Sequence, residues 1–202
     1  MSTEAFILAG GASSRMGCDK ALLPVGGVPM VIRMAQLLGS VAGQVTLIAP
    51  PGRFAELPLR VFADDQPGLG PLGGIATALR LSRAEWNLVT GCDLPFLTRD
   101  WLNFLVERAS KSKADAVLPQ SPQGHFEPLC AMYRTSARAA IADALGRGVR
   151  KVTDGLAALR VEAIGVQEWK PFDSRGRLFK NMNAPEDYDQ ARALFESEGA
   201  DL

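Results

Sequence analysis

Short apolar runs alternate with segments of helical periodicity along most of this chain, and the alternation limits the folds that it can adopt. The apolar runs predict strands at residues 4–8, 45–49, 59–63, 87–90, 116–118, 128–133 and 161–166. Helical spacing predicts helices between most of these strands and a last helix that starts at Pro185. This order is typical of a mostly parallel sheet with helices on both faces. We therefore expect a three-layer α/β/α fold that occupies residues 1–202 as a single domain.

A glycine-rich loop at residues 8–20 follows the first predicted strand. Its adjacent glycines, Gly10 and Gly11, allow a sharp turn and a close approach of the backbone to a ligand. Arg15 and Lys20 add two cations to the same stretch. A strand that ends in such a loop is suited to polyphosphate, although glycine richness is also typical of an ordinary turn.

Two further polar stretches also follow predicted strands. Residues 64–71 come after the third strand and residues 91–95 after the fourth. Ligands of parallel α/β sheets bind beyond the carboxyl ends of the strands, where these stretches and the glycine-rich loop would meet. The pattern therefore predicts one binding site that is shared by the three segments.

Four polar residues are candidates for this site. Asp93 suits Mg²⁺, which prefers oxygen ligands and phosphate partners, but it also suits a turn. Asp64 could bind a ribose hydroxyl or a base edge, or form an Asx turn. Asn181 and Asn183 are two residues apart, so in an extended segment they face the same side and could complete a metal or phosphate site, or cap a helix.

The sequence lacks the residues that several other reactions and binding modes require. A P-loop motif is absent, and adjacent Gly10 and Gly11 do not fit the dinucleotide-binding G-x-G-x-x-G pattern. His125 is the single histidine and is expected at the surface, while Cys92 and Cys130 are expected to be small core residues. Phosphoryl and nucleotidyl transfer remain, since positioning and cations can supply most of their acceleration.

Composition bounds the partners of the chain. The 22 basic and 22 acidic residues give a formal net charge of zero, which offers no general attraction to nucleic acid or to an anionic membrane. Three widely spaced cysteines and the lack of a long apolar stretch predict a reduced, cytoplasmic protein without a membrane span. Any anion site must therefore be local.

The loop and four other motifs resemble those of a known family. They are Leu8-Ala-Gly-Gly with Arg15-Met-Gly-x-Asp19-Lys20, Gly70-Pro-Leu-Gly-Gly74, Cys92-Asp-Leu-Pro95, Glu127-Pro-Leu-Cys-Ala131 and Asn181-Met-Asn-Ala-Pro-Glu186. Together they resemble the molybdenum cofactor guanylyltransferases, the MobA family, within the nucleotidyltransferases of Rossmann-like fold. The resemblance extends over about residues 5 to 195.

This resemblance implies a reaction in which the terminal phosphate of molybdopterin attacks the α-phosphorus of GTP. Pyrophosphate leaves, and the guanine dinucleotide form of the cofactor results, with Mg²⁺ as the implied metal. The implied partners are GTP and molybdopterin, with transient contacts to molybdoenzymes or cofactor-synthesis proteins.

The resemblance also implies a role for each candidate residue. Arg15, Lys20 and Asp93 would be catalytic, with Asp93 as the Mg²⁺ ligand. Asn181 and Asn183 would border the pterin substrate or the metal. The implied nucleotide-binding residues are Leu8, Ala9, Gly10, Gly11, Lys20, Asp64 and Asp93.

The chain departs from the family pattern after the second strand, where Ile48-Ala-Pro-Pro51 lacks an asparagine that some members carry. The choice of GTP rests on Gly11, since cytidylyltransferase relatives usually have Leu-Ala-Ala-Gly in this loop. A molybdopterin cytidylyltransferase or a sugar- or polyol-phosphate nucleotidylyltransferase is the alternative enzyme. The alternative from another class is a non-catalytic nucleotide-binding module that delivers the cofactor, against which Lys20 and Asp93 argue.

Overall fold

The structure is a computed structural model that describes residues 2–10 and 19–198. The strands in this part of the chain are β1 (Thr3–Leu8), β2 (Pro24–Val25), β3 (Val28–Pro29), β4 (Gln44–Ile48), β5 (Val61–Phe62), β6 (Trp86–Gly91), β7 (Ala116–Pro119), β8 (Cys130–Arg134) and β9 (Val161–Ile164). The α-helices are α1 (Met30–Gly39), α2 (Gly70–Leu81), α3 (Arg99–Lys111), α4 (Arg138–Gly146), α5 (Val152–Gly155), α6 (Val166–Trp169) and α7 (Pro185–Glu198). Short 3-10 helices occupy Lys20–Leu22, Thr135–Ala137 and Lys170–Phe172.

Within the described residues, seven strands form one central sheet in the order β5-β4-β1-β6-β8-β7-β9. Strand β8 is antiparallel to both of its neighbours, and every other neighbouring pair is parallel. The predicted mostly parallel sheet is therefore confirmed.

Helices cover both faces of the sheet because alternate side chains of its strands point in opposite directions. On β1, Ile7 packs with the apolar faces of α1, α3 and α7, whereas Phe6 packs with those of α2, α4 and α5. The two faces thus have separate apolar cores, which confirms the expected three-layer arrangement.

The pairing of β1 with β6 positions the site. Leu8 lies opposite Gly91 in this parallel pair, and both strands end there. The N–H of Cys92 donates to the carbonyl oxygen of Leu8 at 3.3 Å, just beyond the last pair. The chain segments that leave the two strands therefore start side by side at one edge of the sheet.

The segment from residue 167 to 177 differs from the sequence-based expectation of an irregular loop. It includes most of α6 and the 3-10 helix Lys170–Phe172. Trp169 is buried there, and its ring makes an edge contact with Phe179 at a centroid distance of 5.2 Å. This long-range aromatic contact stabilises helical turns that the local pattern does not predict.

No helix in the described ranges is both long enough and apolar enough to cross a membrane.

The close packing of α5 on α2 leads to a stability prediction. A Cβ on Gly155 would lie 2.7 Å from both Cδ atoms of Leu72, which is fully buried at the start of α2. We expect Gly155→Ala to lower the free energy of unfolding by about 1–3 kcal/mol, the usual cost of overpacking a core, as measured by urea denaturation.

Gly146→Ala is the matched control, because a Cβ there would meet no atom of the described residues within 4 Å. It should leave stability unchanged or raise it by up to about 1 kcal/mol, since alanine favours helix over glycine. Equal free energies of unfolding for the two variants would contradict this account of the α2–α5 contact.

Candidate active site

A cleft of about 430 Å³ lies at the edge of the sheet where β1, β4 and β6 end. Its walls come from the ends of these strands, the loop after β4 and the segment that leads into α2. Six residues that the sequence predicted as site residues line it, namely Leu8, Ala9, Gly10, Lys20, Asp64 and Asp93. The expected convergence of separate polar segments thus occurs at this edge.

Lys20 and Asp93 form an ion pair at the cleft. The ammonium Nζ lies 2.6 Å from Oδ2 of Asp93, and the two side chains are 19% and 18% exposed. Nζ also donates to Oδ1 of Asn183 at 3.2 Å and to the carbonyl oxygen of Met182 at 3.5 Å. Three segments distant in sequence therefore meet around one cation.

Buried Met182 holds the third segment in place. Its side chain is buried in the core, and its N–H donates to the carbonyl oxygen of Asp93 at 2.9 Å. Both asparagines are exposed, and neither is among the described residues that line the cleft. Asn183 nevertheless contacts the cleft residue Lys20 through its Oδ1.

The oxygens around Lys20 Nζ are the kind that Mg²⁺ binds. They belong to a carboxylate, a side-chain amide and a backbone carbonyl, all within 3.5 Å of a positive charge. Mg²⁺ bound with phosphates commonly takes one or two protein carboxylates and completes its shell with phosphate and water. Asp93 therefore fits such a site, although the described residues contain no group of three or more histidine, cysteine or acidic residues around a common point.

Gly91 gives the Asp93 carboxylate its room. A Cβ on Gly91 would lie 2.6 Å from Oδ1 of Asp93, closer than real Cβ contacts allow. The last residue of β6 must lack a side chain for the carboxylate to fold back beside the strand end. The sequence Gly91-Cys92-Asp93 therefore couples strand termination to the placement of the acid.

Leu8 and Ala9 are held firmly by backbone bonds. The N–H of Ala9 donates to the carbonyl oxygen of Ile48 at 2.9 Å, and the carbonyl of Leu8 accepts from Cys92. Because the Ala9 N–H already donates a hydrogen bond within the sheet, contacts of Ala9 with a ligand would use its carbonyl or its methyl group.

Asp64 and Asp65 have different environments. Oδ1 of Asp64 accepts from Thr77 Oγ1 at 2.7 Å and from the N–H of Gln66 at 3.2 Å, so the residue forms an Asx turn and also lines the cleft. Asp65 instead forms an exposed ion pair with Arg80, whose Nη2 donates to Oδ1 at 2.7 Å. Asp64 is therefore the one available to a ligand in this cleft.

Both described cysteines are buried, as predicted. Burial raises the pKa of the Cys92 thiol to about 12, and the neighbouring Asp93 carboxylate acts in the same direction. Burial also raises the pKa of Cys130 to about 12. Neither thiol forms an appreciable amount of thiolate at neutral pH, which argues against covalent catalysis by either.

Arg53 was not identified from the sequence, yet it lines the cleft. Its guanidinium binds Asp19 and the carbonyl of Ala9. A single arginine after a Pro-Pro-Gly turn has no sequence signal that would distinguish it from a surface residue. Of the other predicted residues, His125 is exposed as expected, and Gly11 and Arg15 lie outside the described residues.

Comparison with known proteins identifies relatives along nearly the whole chain. Residues 5–161 match the family model described as the MobA-like NTP transferase domain. A protein of Carboxydothermus hydrogenoformans named a probable molybdenum cofactor guanylyltransferase is 34% identical over 189 residues, which is 94% of each chain. A protein of Mycobacterium tuberculosis with the same name is 37% identical over 164 residues, covering 77% of this chain and 81% of that protein.

A solved structure agrees with these relatives. The molybdopterin-guanine dinucleotide biosynthesis protein A of Archaeoglobus fulgidus superposes with a TM-score of 0.84 at 26% identity, over 96% of this chain and 99% of the other. The family model covers more than half of the chain, and the relative from Carboxydothermus hydrogenoformans aligns over 94% of it. The sheet topology, the cleft and these similarities together show that the chain belongs to the MobA-like NTP transferase family.

Proposed function

We propose that this chain transfers GMP from GTP to the terminal phosphate of molybdopterin, giving the guanine dinucleotide form of the cofactor and pyrophosphate. The observation that carries the proposal is the Lys20–Asp93–Asn183 cluster at the cleft, where a cation and oxygen ligands meet beside a glycine-rich loop. The names of the relatives indicate a guanine nucleotide and molybdopterin as the substrates.

The reaction is a substitution at phosphorus. An oxygen of the molybdopterin phosphate forms a bond to the α-phosphorus of GTP, and the bond from that phosphorus to the bridging oxygen of pyrophosphate breaks. The nucleophile is already an anion, so it needs no strong general base. The protein has to hold two polyanions in line and to neutralise the charge of the leaving pyrophosphate, which is mainly electrostatic work.

The residues at the cleft divide these tasks. Lys20 supplies a positive charge next to the phosphates, and Arg15 is assigned the same task by the family resemblance. Asp64 lies in the segment between β5 and α2 and lines the cleft, where it can bind the nucleoside. Asn183 contacts Lys20, and Asn181 and Asn183 would border the pterin substrate, as the family resemblance implies.

Asp93 is the residue that would hold Mg²⁺. The metal would neutralise phosphate charge and help to orient the triphosphate. Gly91 and Met182 position the Asp93 carboxylate and its backbone, as described above.

The substrate assignment predicts a preference among nucleotides. Pyrophosphate release, measured with molybdopterin, Mg²⁺ and each of GTP, CTP, ATP and UTP, should be fastest with GTP, by about tenfold or more in kcat/KM. A preference for CTP would refute the guanylyl assignment. A folded protein that binds GTP but turns over none of the four nucleotides would favour the cofactor-delivery module.

The role of Asp93 predicts a second result. Asp93→Asn keeps the shape of the side chain but removes its charge, so kcat/KM should fall by about 10² or more, the usual loss when a preorganised charge is removed from an active site. The melting temperature should stay close to that of the unaltered protein. Unchanged pyrophosphate release would remove Asp93 from the active site.

Asp115→Asn is the matched control for this variant. Asp115 is also 18% exposed and paired with a cation, Arg160, at 3.0 Å, but it precedes β7 at the opposite edge of the sheet. Its substitution should likewise leave the melting temperature close to that of the unaltered protein, and it should leave kcat/KM within about twofold. Equal losses of activity in both variants would show that the effect of Asp93→Asn is not specific to the cleft.

A further inference from the structure

Arg53 lies in the loop between β4 and β5 and contacts both ends of the glycine-rich loop. At the first end, Nη1 donates to the carbonyl oxygen of Ala9 at 2.9 Å. At the second end, Nε donates to Oδ2 of Asp19 at 2.6 Å, and Nη2 pairs with Oδ1 of the same carboxylate. One planar guanidinium therefore connects the two ends of the loop.

Asp19, which Arg53 contacts, is in turn bonded to the short helix that carries Lys20. Oδ1 of Asp19 also accepts from the N–H of Ala21 at 3.1 Å, so Asp19 caps the 3-10 helix Lys20–Leu22. Lys20 is the first residue of that helix and binds Asp93 from it. By holding Asp19, Arg53 fixes the start of the short helix that presents Lys20 to the cleft.

The segment that carries Arg53 has an unusual backbone. Phe54 has a φ of +66° although it is not glycine, and its side chain is only 7% exposed within the core. Its ring lies 4.8 Å from the guanidinium carbon of Arg53. A bulky residue in the left-handed region is strained and persists where surrounding packing requires it. The buried Phe54 therefore anchors a bend that points Arg53 at the loop.

The charges of the pair matter to a polyanionic ligand. Asp19 is adjacent to Lys20, and its carboxylate is 22% exposed near the cleft that Lys20 lines. An unpaired carboxylate at this position would repel a triphosphate, whereas the bidentate contact with Arg53 balances its charge.

From these contacts we propose that Arg53 is a positioning residue for nucleotidyl transfer, which acts through Asp19 and Ala9. It joins the two ends of the glycine-rich loop, orients the helix that carries Lys20, and neutralises Asp19 beside the nucleoside triphosphate. This inference rests on the proposed function for its reaction but not on the choice of GTP, since it concerns the phosphates.

A direct contact of Arg53 with the phosphates is the alternative, because arginine has five N–H donors and the described bonds use three of them. The two roles differ in how they depend on Asp19. A residue that acts through Asp19 should matter much less once Asp19 is neutral, whereas a direct phosphate contact should matter equally with either residue at position 19.

A double-mutant cycle tests the proposal, with Arg53→Met, Asp19→Asn and the double variant compared by steady-state pyrophosphate release. We expect Arg53→Met alone to raise the KM for the nucleotide about tenfold, the effect of breaking a charge-assisted pair, with kcat reduced less than threefold. On the Asp19→Asn background the same substitution should raise KM by no more than about threefold. Equal effects on both backgrounds would overturn the proposal in favour of direct contact.

Two more variants complete the design. Arg53→Lys keeps a charge but cannot bridge Ala9 and Asp19 with one planar group, so it should restore only part of the lost affinity, and full restoration would refute the bridging role. Arg60→Met is the matched control, since Arg60 also lies over a ring, that of Phe62 at 5.0 Å. It should leave KM unchanged, and a rise equal to that of Arg53→Met would refute a specific role for Arg53.

These measurements also distinguish a positioning role of Arg53 from an effect of Arg53 on folding. They further distinguish failure of this proposal from failure of the proposed function. A purely structural role would lower the melting temperature and the amount of active protein, and therefore kcat, while leaving KM unchanged. If Arg53→Met does not fold, Arg53→Lys compared on the unaltered and Asp19→Asn backgrounds still tests the proposal, and a normal KM for Arg53→Lys would overturn it. If the unaltered protein prefers a nucleotide other than GTP, the cycle is run with that nucleotide, so the guanylyl assignment can fail while the role of Arg53 stands.

Discussion

The parallel pairing of β1 with β6 is the constraint on which the rest of the site depends. Because Leu8 and Gly91 lie opposite each other at the ends of these strands, the glycine-rich loop and Asp93 must leave the sheet as neighbours. Backbone hydrogen bonds and burial on both faces fix this register, and a shift by one residue would turn core side chains of the strands to the wrong face. The position of the cleft is thus set by the sheet and not by the loops that line it.

Loops contribute the polar side chains at this edge. A separate supporting residue holds each of the loops of Asp93, Asn183 and Arg53 in place. Gly91 makes room for the Asp93 carboxylate, buried Met182 ties the asparagine segment to the backbone of Asp93, and buried Phe54 supports Arg53. Asp93, Asn183 and Arg53 are therefore each next to a residue whose role is packing or backbone shape. Such support is what holds charged groups in place before a polyanionic ligand arrives.

The sequence predicts the fold and the site well where the local residue pattern determines the structure. It predicts them less well where contacts with residues outside the local segment determine the structure. Alternating apolar and helical segments predicted the layers and the mostly parallel sheet, and strand ends located Lys20, Asp64 and Asp93 at one edge. The helical turns near Trp169 were missed because an aromatic contact with Phe179 stabilises them. Arg53 was missed because its importance comes from Asp19 and Ala9, and its own neighbours in sequence give no sign of either contact.

The cluster around Lys20 also has a consequence for the order in which the protein is made. Lys20 and Asn183 are separated by 163 positions in the chain, and the backbone of Asp93 is bound by Met182. Contacts between such distant residues form late, since the intervening chain must first be ordered. A nascent chain that has completed β1 and β6 contains Lys20 and Asp93 but not the asparagine segment. The contact between Asn183 and Lys20 can therefore form only after synthesis has passed residue 183. A truncated product would lack this contact.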